Sequence, residues 1–497
     1  MDQKFYHGYL PREDLPYVLK KKGDYCVRIT ERSTAKAKRK DIVLSIAWPT
    51  EPAVTLNHKD IKNILIERNG SAFWLDLSIS FTTIDALFEH YRHNDIVIPN
   101  QDKVRLLRSV GLLSWEYRHS QIVCVKKVGQ GAYGEVYKGK VKKGGKTFEA
   151  AIKAMRKDLD EGDEKMKEVM AEARLMRSLN HPNIVRCRGI AVLEQPLYIV
   201  IDFISGGGLD SFLKKNTKTL TTDEKNKMAI SAAWGIEFMH SQDIIHRDIA
   251  ARNCLYDKKN LVKLSDFGLS RKGSVYKMKK AMKMPMKWLA PESLTTFTFS
   301  RASDVYTFGV LLYEIYTCQE PFNGVAGGDA RKMILSGSFP NFEKLAPPEL
   351  YDIVKKKVYQ LDPTKRAPMN EIVQDLEKWL EVELVLDEDD RPADPESKRV
   401  GMPGSEESAC PRAPPKKKLE VKAGKVKKRE STETTTETPP TTSLLTKAGD
   451  RREMDELAPP PPEQEPKPCS PPKEPELRRD SSKESASKKQ RGKSSNE

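Results

Sequence analysis

Apolar and polar residues alternate with a period of two in DYCVRIT, DIVLSIAW, KNILIER and AFWLDL, which predicts four half-buried strands. TIDALFEHYR then repeats at helical spacing, so residues 5–110 are expected to form a compact mixed domain. Alternation resumes in QIVCVKKV, GEVYKGKV and FEAAIKAM, which open a larger, mostly helical domain over 120–383, with 111–119 as the linker. EKMKEVMAEARLMRSL places Met166, Val169, Met170, Ala173 and Met176 on one helix face. DVYTFGVLLYEIY is apolar nearly all round, the pattern of a helix buried on every side. In DYCVRIT, Tyr25, Val27 and Ile29 alternate with Cys26, Arg28 and Thr30, so one strand face is expected to be core and the other to present Arg28. An arginine placed there suits bidentate contact with a phosphate, or a structural ion pair.

From residue 384 onward the pattern stops. PPKKKLEVKAGKVKKRE, STETTTETPPTTS and LAPPPPEQEPKP hold too little apolar surface to offset ordering entropy, so 384–497 are expected to be disordered. The basic run reads as a solvated segment first, with nuclear import or anionic-lipid contact as alternatives. APPPP suits a proline groove or a stiff spacer.

The net charge of +15 over 497 residues favours anionic partners without choosing among them, and nothing beyond charge suggests nucleic acid. The seven cysteines are odd in number and scattered, and no CxxC pair occurs, so neither a zinc site nor a disulfide framework is indicated. The N-terminus lacks a secretory pattern, Asp2 stands where myristoylation needs glycine, and no apolar run approaches the ~20 residues that span a bilayer. A cytoplasmic protein is expected, with peripheral contact at the plasma membrane as the alternative.

Chemistry concentrates in the second domain. VGQGAYGEV carries Gly129, Gly131 and Gly134, followed by a β-branched, alternating segment rather than a helix. That is a strand–turn–strand loop whose amides can approach phosphates; alone, the string serves a plain hairpin equally well. Lys153 lies on the buried-looking strand AAIK, and Glu172 on the amphipathic helix is its candidate partner. In HRDIAARN, Asp248 can accept a hydroxyl proton, while Asn253 and Asp266 of LSDFG offer oxygen ligands suited to Mg²⁺.

Taken in order, GxGxxGxV, AxK, Glu172, HRD with Asn253, DFG, APE (Ala290 to Glu292) and DVYTFG resemble the protein kinase family over about 260 residues. The resemblance implies a bilobal kinase fold that binds ATP and Mg²⁺, with Mn²⁺ as an alternative ion; the alternative function, a pseudokinase-type phosphotyrosine-binding scaffold, is opposed by the intact Lys153, Asp248, Asn253 and Asp266. Val128, Gly129, Gln130, Gly131, Ala132, Gly134, Val136, Ala151 and Lys153 would surround the nucleotide, and the backbones of Asp202 and Ile204 would hold adenine behind Ile201. Ala250 with Arg252, four residues after Asp248, matches the AAR signature of tyrosine kinases, and Pro285 and Trp288 resemble their substrate platform. Tyr276, between DFG and APE, would be the autophosphorylation site and its phosphate would pair with Arg247. Arg366 would pair with Glu292, and Tyr359 replaces the family's tryptophan.

FYHGYLPRED, GDYCVRIT, IVLSIAW and TTIDALFEHY together resemble a Src-homology-2 (SH2) domain, a central antiparallel sheet flanked by two helices that binds phosphotyrosine proteins. Arg28, Arg12 and Thr30 would contact the phosphate and ERSTAKAKRK would be the phosphate-binding loop. The family's usual strand histidine is Asn63 here, with His58 out of register. The overall class is then α+β. The order of the two domains and EQPLYIV resemble the Fes/Fer family of non-receptor tyrosine kinases, in the short nematode-like layout without the membrane-binding F-BAR region. In that family the first domain is expected to pack on the kinase N-lobe and support its active form.

Overall fold

The computed structural model describes residues 4–34, 37–50, 56–76, 78–98, 103–131, 134–155, 162–257, 261–278, 282–384 and 455–457. The expected disorder of the tail, and Ala132 in the glycine loop, lie outside the described residues. Among those described, no helix is long and apolar enough to cross a membrane.

In the first module, β1 (Asp24–Thr34), β2 (Ala37–Ala47), β3 (Ile61–Asn69) and β4 (Ala72–Trp74) form an antiparallel meander. Strand β5 (Arg108–Ser109) adds to β1 in parallel, giving the order β4-β3-β2-β1-β5. Helix α1 (Leu15–Val18) packs on one face with Cys26, Ala47 and Ile61, and α2 (Ile84–His93) packs on the other with Tyr25, Val27, Leu44 and Ile46. Thr83 caps α2 by accepting from the Ala86 amide.

One expectation needs correction here. The strand face carrying Arg28 also carries core, because α1 packs on it and Cys26 is fully buried there. Of ERSTAKAKRK, residues 31–34 and 37–40 are paired strand rather than loop. The register set at Tyr25↔Ile46 continues to Thr34↔Ala37, so the segment extends a hairpin instead of leaving the sheet.

The second module starts with β6 (Ile122–Gly131), β7 (Gly134–Lys143), β8 (Lys146–Met155), α3 (Gly162–Arg177), β9 (Cys187–Ala191) and β10 (Tyr198–Asp202), in sheet order β6-β7-β8-β10-β9. A helical lobe follows: α4 (Leu209–Asn216), α5 (Thr222–Ser241), α6 (Pro291–Thr295), α7 (Arg301–Thr317), α8 (Gly327–Leu335), α9 (Pro348–Ile353) and α10 (Met369–Leu380). Short strands carry its loops: β11 (Ile244–Ile245), β12 (Cys254–Asp257), β13 (Leu261–Leu264), β14 (Arg271–Lys272), β15 (Val275–Lys277), β16 (Met282–Met284) and β17 (Thr298–Ser300). Finally β18 (Asp455–Leu457) pairs with β16. The apolar sequence of α7 is buried along nearly its whole length, and Val169, Met170, Ala173 and Met176 form the buried stripe of α3.

The first module is docked on the small lobe. Tyr9 N donates to Val192 O at 2.8 Å, and Tyr9, Val192 and Ile29 join Val169, Met170 and Ala173 in one apolar cluster. Gly8 permits this approach: its φ is +58°, and a Cβ there would sit 2.2 Å from the Val192 carbonyl oxygen. The linker is equally fixed. Tyr117 N donates to Ile190 O at 2.8 Å, and Glu116 is buried against His7, whose Nδ1 lies 2.9 and 3.1 Å from its carboxylate oxygens.

Candidate active site

Helix α7 carries a carboxylate near each end of an otherwise apolar stretch, and buried carboxylates must find donors. Asp304 accepts from the backbone of His246 at 2.7 Å and Arg247 at 2.9 Å, and His240 Nε2 lies 3.1 Å from it. Glu314 accepts from Ala251 N at 2.8 Å. These two acids hold both ends of the HRDIAARN loop on the rigid helix. Neither role was read from the sequence; the signal was an acid inside an apolar helix pattern.

Within that loop Asn253 donates Nδ2 to Asp248 Oδ2 at 2.6 Å and to the Asp248 carbonyl at 2.8 Å. Arg252 donates Nη2 to Asp248 Oδ1 and lies 4.7 Å above the Trp288 ring. Its Nη1 is buried with no partner. The amide of Asn253 is thereby spent on Asp248, which leaves its carbonyl oxygen to meet a cation.

On β8, Lys153 Nζ donates to both oxygens of Glu172 at 2.8 and 2.9 Å and lies 4.0 Å from Asp266 Oδ1. Burial pushes the Glu172 carboxyl above its ordinary range, and Lys153 opposes that shift. Asp266 adopts a left-handed backbone (φ 58°) that turns its side chain outward, 56% exposed, while Phe267 behind it is buried. An exposed carboxylate suits Mg²⁺, which binds through one or two protein oxygens plus substrate phosphates. Among the described residues no cluster of His, Cys, Asp and Glu forms a self-sufficient metal site.

The glycine loop joins two strands paired as expected up to its tip: Gly129 faces Val136, and Gly131 faces Gly134. Its glycines differ in purpose. A Cβ on Gly134 (φ 158°) would meet the Ala154 carbonyl at 1.9 Å, so the fold itself requires glycine there. A Cβ on Gly129 would meet only Val136 at 3.8 Å, so the packing of the protein does not demand that glycine. Ala151 pairs with Ile201 across β8 and β10, and Lys153 with Val136 across β8 and β7. Asp202, the last residue of β10, donates its N–H to Arg186 O at 3.0 Å, and Ile204 follows on the same connection.

Arg247 is buried with φ 72°, donates Nη1 to Leu269 O at 2.9 Å, and leaves Nε and Nη2 without partners. Its guanidinium lies 4.2 Å from the centroid of the Tyr276 ring, and burial and nearby Arg271 pull its pKa down to about 10. Arg366 donates Nη1 and Nη2 to Glu292 at 2.7 and 2.8 Å, as the sequence suggested.

The first module supplies a second polar cluster. Arg28 donates Nε to Ser45 Oγ at 3.1 Å and Nη2 to Asn63 Oδ1 at 3.0 Å, and Ser45 Oγ also donates to Asn63 at 2.8 Å. Thr30 is two residues along β1 and Arg12 lies exposed in the turn before α1. His58 sits outside this group, in the turn before β3.

The profile of the protein tyrosine and serine/threonine kinase family matches residues 122–376. Fer-related kinase 1 of Caenorhabditis elegans is 33% identical over 382 residues, covering 76% of this chain and 94% of that protein. The chain belongs to the Fes/Fer family of tyrosine kinases. Spermatocyte protein spe-8 of Caenorhabditis briggsae is 32% identical over 377 residues, 74% of this chain and 69% of the relative. Human tyrosine-protein kinase Fer is 31% identical over 379 residues, 76% of this chain and 44% of that protein. These alignments are all longer than the stretch matched by the kinase profile, so the likeness reaches outside the catalytic domain. The Fes/Fer kinase is thus a non-receptor protein-tyrosine kinase, and its family uses ATP and Mg²⁺.

Proposed function

We propose that Asp248 accepts the proton of the substrate tyrosine while the γ-phosphoryl group of ATP is transferred in line. The observation that carries this reading is the Lys153–Glu172 pair with the exposed Asp266 4.0 Å from Lys153 Nζ, together with an Asp248 already oriented by Asn253 and Arg252. Lys153 orients the α- and β-phosphates, residues 128–136 cover them, and Arg252 brings its unpartnered Nη1 to the transferred group. Asn253 and Asp266 would hold Mg²⁺, or Mn²⁺, which supplies charge neutralisation between the phosphates when bound. The carbonyl of Asp202 and the backbone of Ile204 would take adenine.

The first module reads best as an SH2 domain that captures phosphotyrosine proteins through Arg28, Arg12 and Thr30. Arg28, buried beneath Ser45 and Asn63 with donors to spare, supports this role. Docking on α3 supports coupling between that capture and the Lys153–Glu172 pair. Tyr276 is proposed as the autophosphorylation site: its phosphate would take the two unpartnered donors of Arg247. The tail is proposed to meet proline-groove domains or anionic lipid, with the protein in the cytoplasm.

The test uses full-length protein, Mg-ATP and a poly-Glu/Tyr substrate. Wild type makes phosphotyrosine and Asp248→Asn falls by roughly 10²–10⁴-fold. Equal rates would remove Asp248 from the mechanism.

A further inference from the structure

Among the described tyrosines Tyr17 alone is exposed, at 45%. It stands on α1, at the place where the first module meets the end of α3. Arg177, the last residue of α3, lies with its guanidinium 5.1 Å from the Tyr17 ring centroid and 4.0 Å from that of Trp115 in the linker. The cation therefore touches an aromatic ring of the module and one of the linker. Neither ring neutralises it, and among the described residues no carboxylate pairs with it.

One turn earlier, Arg174 is already committed, since Asp14 accepts from its Nε and Nη2. Arg174 holds its proton more tightly than usual, mainly through those bonds and against burial, with smaller parts from the charges of Asp14, Glu13 and Tyr17. Tyr17 is thus within electrostatic reach of both arginines. Arg174 and Arg177 also line one small cavity, together with Asp14, Trp115 and Cys187. Two guanidiniums meet one buried carboxylate here, so the junction is short of negative charge. A phosphate on Tyr17 would bring about −1.5 to −2 charges and three strong acceptors to Arg177.

We propose that Tyr17 is a modification site: a second copy of this chain phosphorylates it, and the phosphate fastens the first module to α3 through Arg177. The inference rests on the kinase reading and on Asp248 as the proton acceptor. Transfer comes from another molecule because α3 stands between the two places: Glu172 faces Lys153, whereas Arg174 faces Asp14. The Tyr17 phenol oxygen bonds to the γ-phosphorus of ATP as the bond to the β–γ bridging oxygen breaks. The phenol proton passes to the second copy's Asp248, and ADP leaves. Presenting Tyr17 means opening α1, a helix of four residues closed by Leu19 N donating to Leu15 O at 2.8 Å. Leu15 and Leu19 are buried, so the opening costs packing and labelling is slow.

The test uses full-length protein and Mg-ATP. Mass spectrometry should find phosphate at position 17, with an initial rate per molecule that rises in proportion to protein concentration. An Asp248→Asn chain mixed with active wild type should be labelled there too. After labelling, hydrogen exchange of the Tyr9 amide, which donates across the junction to Val192 O, should slow about tenfold. Tyr17→Phe keeps a ring over Arg177 and should show no such slowing. Arg177→Gln should be labelled at position 17 yet gain no protection. A wild type that phosphorylates poly-Glu/Tyr but leaves position 17 unlabelled overturns the site. Labelling without slower exchange, or slower exchange that persists in Arg177→Gln, overturns the fastening. A rate per molecule independent of concentration overturns transfer between copies. A wild type that phosphorylated no poly-Glu/Tyr would instead bring down the kinase reading itself.

Discussion

Arg174 donates Nε and Nη2 to the two carboxylate oxygens of Asp14 at 2.9 and 3.0 Å, tying the first module to the helix that carries Glu172. Two residues apart on α3, the side chains of Glu172 and Arg174 diverge by about 200°, so one reaches Lys153 while the other reaches Asp14. The helix is held between catalytic cleft and docked module. Asp14 is buried and Arg174 about three-quarters so, which places the pair above the near-zero value of exposed ion pairs.

Asp14→Ala should therefore lower kcat/KM about tenfold with every cleft residue intact, at a cost of roughly 1–3 kcal/mol in docking. Arg174→Ala should do the same, and the double variant should be little worse than either single one. Phosphotyrosine production by the four proteins decides this; additive losses would mean that the two residues act separately.

The Arg366–Glu292 pair governs stability more than rate. The Arg366 side chain is fully buried, and it also donates to the carbonyls of Gln360 and Ala302, both at 2.9 Å. Glu292→Ala leaves a guanidinium without its counter-charge and should cost about 3–5 kcal/mol. At roughly 2–4 °C per kcal/mol, Tm of the catalytic domain should drop by about 10 °C, read by calorimetry.

The chemistry was legible in the sequence because it sits in short motifs whose members are local: Asp248 with Asn253, Asp266 with Phe267, the glycines with one another. Helix α3 and helix α7 were legible from periodicity alone. What escaped were contacts across long separations. His7 meets Glu116, 109 positions away, through no local pattern at all. The same holds for Asp304 and Glu314, whose donors lie in a loop about 60 residues earlier. The second core under Cys26 was missed because α1 is only four residues long, too short to show a helical period.

The His7–Glu116 contact should make docking sensitive to pH. Burial pulls the His7 pKa down, but the Glu116 hydrogen bond and charge, with the Val110 carbonyl at 2.9 Å, outweigh it and raise the pKa above 6.5. A group whose folded pKa is raised contributes its stabilisation fully below the unfolded value. That contribution is lost as pH climbs from about 6.5 through the folded pKa. Wild-type Tm should fall over that window, and His7→Gln should flatten the dependence. A wild-type curve with no slope there would remove His7 as the titrating group.

Asn63 makes the sharpest prediction about the first module. Its Oδ1 accepts from both Arg28 and Ser45, so it anchors the arginine by hydrogen bonding where a ring would have offered packing. Arg28→Ala should abolish phosphotyrosine-peptide binding. Asn63→Ala removes one hydrogen bond to a charged group, about 1.5 kcal/mol, and should weaken binding roughly tenfold. Asn63→Asp keeps an acceptor for Arg28 but sets an anion beside the incoming phosphate, so it should bind more weakly than Asn63→Ala. Fluorescence anisotropy with a labelled phosphopeptide orders the three. If Asn63→Asp bound better than Asn63→Ala, the arginine would need its anchor more than its free charge, and the phosphate would have to sit away from Asn63.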